Sequence, residues 1–237
     1  MTSAQHRSRL YALAVAAVTV IAIAISGYFF IVQQFDEETI RSARVSTEVA
    51  NDDMVEIIVN TLSSDIERLV VAADQTTPSQ DWKSLAEGAA FIDFDAKARH
   101  LALNTRIVKI KVYNRSGVTI YSTDLTQLGA DYSKREEFVH ALRGSSTSTI
   151  IQRDFFKSFT QEIKDATLVA SYHPLKSATG EIIGVSEVYA NRTKEFKLFE
   201  ESVRMHSIVL ALGISVISIL IISMLSFFAL VSSPNDD

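Results

Sequence analysis

The chain has 237 residues, with 23 Lys or Arg against 28 Asp or Glu, a formal charge of −5. With no cysteine, disulfide frameworks and thiolate metal sites are excluded, and the mildly acidic balance offers no basic footprint for nucleic acid. Hydrophobic residues make up 47% of the chain, and they are concentrated at its two ends.

Residues 1–9 carry Arg7 and Arg9 and no acidic residue, which reads as a cytoplasmic N-terminus. No charged side chain occurs from Leu10 to Val32, nor from Ile208 to Val231. Each run would rise roughly 35 Å as a helix, enough to cross a ~30 Å hydrocarbon core. Residues 10–32 and 208–231 are therefore expected to be transmembrane helices. A cleaved signal peptide is the alternative for the first run, with Ala22, Ala24 and Ser26 as small residues for cleavage, but signal cores span only about 7–15 residues. Two spans put residues 33–207 outside the cytoplasm and return 232–237 to it, as expected of a multi-pass protein of the cell inner (plasma) membrane. Lys194, Lys197 and Arg204 precede the second span on the external side, against that trend. Ala211, Ser215 and Ser218 in one span, and Ala12, Ala16, Ala24 and Ser26 in the other, are small enough for close helix packing in lipid.

No Gly or Pro interrupts Tyr28 to Thr77. Within it Val55, Ile58, Leu62, Ile66, Leu69 and Ala73 recur at three- and four-residue steps, so a long amphipathic helix is expected to run on from the first span. One face would pack on the domain, and the other could serve as a dimer seam. Thr76 to Gln80, around Pro78, reads as a turn. A helix over 81–103 follows, with Phe91, Phe94, Ala98 and Leu101 on one face and Gly88 as a weak point. Val108, Ile110 and Val112 alternate with Lys109, Lys111 and Tyr113, which predicts a half-buried strand. Asn114 to Gly117 form a turn, and 118–122 return as a second strand. A short helix over 133–142 stops at Gly144. Strands are expected over 147–156 and 166–173, then a hairpin connection from Pro174 to Gly180, then a strand over 182–190. From Thr193 to His206 the chain is polar and helical and leads into the second span. The fold class is α+β, with an antiparallel sheet and a long N-terminal helix.

Several short motifs from Val108 to Thr193 resemble the extracytoplasmic PAS-like sensor modules called Cache domains. They are Val112-Tyr113-Asn114-Arg115-Ser116-Gly117 with Ile120-Tyr121-Ser122, Leu128-Gly129-Ala130-Asp131-Tyr132, Phe138 with Ala141-Leu142-Arg143-Gly144, and Gly180 to Tyr189. The resemblance implies a strand-turn-strand, a loop over a ligand pocket, and a closing strand. In layout it is closest to C4-dicarboxylate-type sensor histidine kinases, while other members feed diguanylate cyclases or chemoreceptors. In those dicarboxylate sensors an Arg three residues before a Phe lies near the pocket loop, and Arg135 and Phe138 match that spacing. The paired tyrosines of the following strand are absent, with Val169 and Ala170 in their places.

A pocket in such a module needs a few polar groups on a concave apolar sheet. The candidates for ligand binding are Tyr121, Tyr132, Arg135, Arg153, Tyr172 and His173. Arg153 lies among Ile150, Ile151, Phe155 and Phe156, and a guanidinium suits a carboxylate because its donors form a planar fork. A solvent-facing Arg153 beside Asp154 is the bland alternative, as a solvated helix start is for Arg135. His173 can report pH. Asp93 and His100 share a helix face but Asp95 does not, so no metal site is expected, and no cofactor motif is found. Without a phosphate loop, nucleophile elbow or kinase signature, no catalytic residue is assigned.

Two functions lead, and a third, a secreted or anchored enzyme, would need a clustered acid-base pair in the folded module. One is a homodimeric transmembrane receptor whose small-molecule ligand, of carboxylate type, biases the exit helix toward an output domain beyond Asp237 or in a partner, with a histidine kinase favoured. The other is a periplasmic protein-interaction module without a small ligand.

Overall fold

The computed structural model describes residues 3–76, 81–103 and 105–231. The turn expected around Pro78 and the tail 232–237 lie outside the described residues. Two compact units emerge: residues 1–41 with 198–237, and residues 42–197.

The first unit contains the apolar parts of α1 (Ser3–Thr61) and α6 (Thr193–Val231). Ala14–Gln34 and Thr193–Phe227 are helical stretches long and apolar enough to cross a membrane. Val15, Phe29, Leu212 and Ile219 all face outward, as a helix does when its solvent is lipid rather than water. Ala24 lines one groove with Ala211, Ser215 and Ser218, so the two rows of small residues meet there. The Ser215 and Ser218 hydroxyls donate to Ala211 O and Ile214 O, both at 2.8 Å.

The second unit is built on a five-stranded antiparallel sheet in the order β2-β1-β5-β4-β3. Its strands are β1 (Ile107–Asn114), β2 (Thr119–Ser122), β3 (Thr147–Lys157), β4 (Glu162–Lys176) and β5 (Ile182–Asn191). One face carries the end of α1 with α2 (Ser63–Thr76), α3 (Trp82–Glu87) and α4 (Ala89–Ala102); the other carries α5 (Glu136–Leu142).

On the first face the helical period does what the spacing predicts. Val55, Ile58, Leu62, Ile66, Leu69 and Ala73 are all buried. They pack with Phe91 and Phe94 of α4 onto Val112, Ile120, Tyr121 and Val188 of the sheet. Burying a Leu or Phe side chain contributes about 1.5–3 kcal/mol, and this stripe anchors the long helix to the sheet. At Leu62, between α1 and α2, the ladder persists: Leu62 N–H donates to Ile58 O at 3.0 Å and Ile66 N–H to Leu62 O at 2.9 Å.

Three departures from the sequence reading have local causes. The single helix expected over 81–103 is two, because Gly88 is extended (φ −74°, ψ 146°), ending α3 and starting α4. The strand expected to stop before Pro174 runs on to Lys176. Its neighbour β3 begins at Thr147, opposite Tyr172. Beyond that point β4 has a free edge, where a proline without an N–H is tolerated. Finally, β1 is covered on both faces rather than half-buried. Lys109 and Lys111, expected on the wet side, are 5% and 3% exposed.

Candidate functional site

The covered second face of the sheet holds a cluster of ionised and phenolic groups. β5 lies between β1 and β4, and Glu187 is directly opposite Lys111 on one side and Tyr172 on the other. Directly opposite residues share a face, so the three side chains converge. Tyr113 and Tyr189 stand two residues along their strands on that same face. The Glu187 carboxylate is 0% exposed. It accepts hydrogen bonds from the hydroxyls of Tyr172 and Tyr113, and from Tyr189 at 2.6 Å. Lys111 Nζ lies 3.1 Å from Glu187 Oε2. Each oxygen thus has two donors, close to all that a carboxylate accommodates.

Burial alone would raise the Glu187 carboxyl; the Lys111 ammonium and the three phenols outweigh it and hold it below its ordinary value. Burial, reinforced by the Glu187 charge, pushes the phenols of Tyr113, Tyr172 and Tyr189 well above theirs. The cluster is therefore an ionised carboxylate held by three neutral phenols and one ammonium.

The segment between β2 and α5 forms its cover. Thr119 N–H donates to Ala130 O and Gly129 N–H to Thr119 O, both at 2.9 Å, and Tyr132 N–H donates to Gly117 O at 2.8 Å. These bonds lay residues 129–132 along the β2 edge. Gly117 permits the approach: its φ is +82°, and a Cβ there would lie 2.5 Å from Ser133 Cα. Tyr132 is thereby carried over the sheet, its ring 5.1 Å from that of Tyr113. The same ring has Lys111 Nζ at 4.7 Å and the Arg135 guanidinium at 4.9 Å from its centroid, distances at which a cation is attracted to an aromatic face. Phe138 of α5 closes the other flank, edge-on to Tyr113 at 5.8 Å.

Tyr132, Arg135 and Tyr172 are thus brought together, with Arg135 exposed at the rim. The remaining candidates lie elsewhere. Tyr121 is on the opposite face against Phe91 and Phe94, and its hydroxyl donates to Asp95 at 2.8 Å. Arg153 is exposed on the edge strand β3 and donates to Gln152 O at 3.1 Å. His173 is buried between the sheet and α1, with Nε2 2.6 Å from Asp52 Oδ1 and Nδ1 3.1 Å from Ser146 Oγ. Beside it Asn51 Nδ2 donates to Ser171 Oγ at 2.6 Å. Asp95 is occupied by Arg99, at 2.8 Å, as well as by Tyr121.

Sequence reasoning did not single out Lys111, Glu187, Tyr113 or Tyr189 as site residues. A signal existed: Glu187 is the lone acid in the apolar run from Ile182 to Ala190, and a charge inside a closing strand is costly unless paired.

No family model and no curated protein matches the chain. Among solved structures, the sensor domain of the histidine kinase DctB from V. cholerae aligns at 16% identity with a TM-score of 0.43, over 70% of this chain and 58% of that one. The DcuS sensor domain of E. coli aligns at 16% identity and a TM-score of 0.32, over 44% and 69%. The periplasmic domain of RsbU from Chlamydia trachomatis aligns at 12% identity and 0.34, over 63% and 58%. The chain therefore spans under two thirds of the DctB sensor domain it matches. By name, all three neighbours are sensor or periplasmic domains.

Proposed function

We propose that this chain is the input module of a transmembrane receptor, with residues 33–207 outside the cytoplasm. In this reading a small carboxylate-bearing ligand binds under Tyr132 and Arg135, and the bias it creates passes through α1 and α6 to a cytoplasmic output, with a histidine kinase favoured and a homodimer as the working unit. The observation that carries it is the Lys111–Glu187–tyrosine cluster. Replacing a buried ion pair by packed apolar groups is often neutral or stabilising, so stability alone gives little reason to keep ions here. The cluster lies beneath the Tyr132 ring and beside Phe138, with the Arg135 guanidinium at its rim making no ion pair among the described residues, which is how a site at the edge of a cover would look. A ligand biases the equilibrium only by its difference in affinity between the two forms.

The test is thermal unfolding of the full chain in lipid nanodiscs, followed through Trp82, the chain's single tryptophan, in the presence of carboxylates and amino acids. Binding at 100 times Kd stabilises by about 2.7 kcal/mol, so at least one compound should raise the melting temperature by several degrees. Arg135→Ala should abolish that shift. If no compound moves the transition, the small-ligand reading falls.

The second reading, a periplasmic protein-interaction module, is favoured by one feature: Glu187 already has two donors on each oxygen, so the cluster is complete as it stands. Pull-down by the immobilised full chain of a defined partner, unaffected by Arg135→Ala, would support it.

A further inference from the structure

The following rests on the ligand-binding reading and narrows it to one class of ligand. On this face the described groups able to hold an acid are already engaged: Tyr172 and Tyr189 on one Glu187 oxygen, Tyr113 and Lys111 on the other, and Lys109 farther along β1 with Asp124 at 3.9 Å. Arg135 differs. It is exposed, lies against the Tyr132 ring, and forms no ion pair among the described residues.

We propose that Glu187 is a specificity-determining residue. Its fixed carboxylate takes the place and the donors of one acid group, so the site accepts a ligand with a single carboxylate, gripped by Arg135, and rejects dicarboxylates. A monocarboxylate can pair with Arg135 and lay its apolar or neutral end beneath Tyr132. The second acid group of a dicarboxylate would have to enter where Glu187 stands, with the phenols and Lys111 already spent. Like charges brought together in this way suppress wrong partners strongly.

Butyrate and succinate share a four-carbon chain and differ in one acid group, so they isolate the effect. Isothermal titration of the full chain in nanodiscs is expected to show butyrate binding at least about tenfold more tightly than succinate. Glu187→Gln removes the internal charge and should narrow that ratio at least about threefold, through a gain for succinate. Because Glu187→Gln leaves Lys111 buried without its counter-ion, the double variant Lys111→Met/Glu187→Gln is the companion, with the same loss of discrimination expected. Equal binding of the two acids by the wild-type chain, or succinate preferred, overturns the inference and leaves the ligand-binding reading standing. An unchanged ratio in a folded variant does the same. Binding of neither acid, nor of any other compound in the thermal screen, removes both.

Discussion

Both faces of the sheet are covered, and only the one toward α5 combines its apolar packing with a buried ion pair and three phenols. Toward the helices, Val112, Ile120, Leu175 and Val188 meet Leu69, Phe91 and Phe94 in an apolar core. Toward α5, the same strands bury Lys111, Glu187 and three phenols. Apolar packing stabilises each side chain nearly independently, whereas the ionic cluster stands or falls together, because removing one member leaves a charge without a partner. A buried ion pair is weak evidence for stability, whereas buried apolar packing is strong evidence for it.

Mutations can break that contrast. The largest effects are expected from Phe94→Ala and Glu187→Ala, each costing about 3–5 kcal/mol, the first through a cavity and the second by stranding Lys111. Their second-site behaviour should differ. Lys111→Met/Glu187→Leu removes the stranded charge and should recover part of the loss, the three phenol hydroxyls left without their acceptor keeping it below the wild type, while no neighbouring change of similar economy refills the Phe94 cavity. Denaturant unfolding read through Trp82 measures both. A double variant no more stable than Glu187→Ala would show that the ion pair itself holds the face together.

A smaller effect comes from pH. Glu187 has a depressed carboxyl, so its contribution is present above the ordinary glutamate value near 4.3 and is lost as pH falls through the lower folded value. The raised phenols contribute fully below their ordinary value near 10 and lose that contribution as pH rises beyond it. The melting temperature should therefore fall at both extremes. Tyr121, also raised, by burial and then by Asp95, adds to the alkaline limb from the other face, and Tyr121→Phe subtracts it. A flat profile from pH 8 to 11 would contradict the phenol assignment.

Smaller still, Asn51→Ala removes a buried bond between α1 and Ser171 and should cost about 1–3 kcal/mol. Exposed Arg153→Ala should stay within about 0.5 kcal/mol and leave ligand affinity unchanged.

The architecture was legible where periodicity reports burial. The stripe from Val55 to Ala73 and the sequence of five strands follow from spacing alone, because one period belongs to helices and another to strands. The site was legible only in part. Tyr132, Arg135 and Tyr172, singled out as polar groups near turns and strand ends, lie together around the Glu187 cluster. Lys111 was read as solvated because alternation normally sends every second residue to water, and the cover over that face comes from a segment some twenty residues away. Tyr121 and Arg153 lie away from the cluster for the converse reason: which side of a strand is covered depends on what packs on it. Pro174 was read as a breaker because the free edge created by the start of β3 is a property of the pairing.

Strand β4 presents Ser171, Tyr172 and His173 in succession, and neighbouring side chains on a strand point to opposite sides. Ser171 and His173 hold Asn51 and Asp52 of the long helix, while Tyr172 between them holds Glu187. The contacts on the two faces are thus joined by one peptide unit on either side of Tyr172, the shortest covalent link the strand allows between the buried carboxylate and the helix.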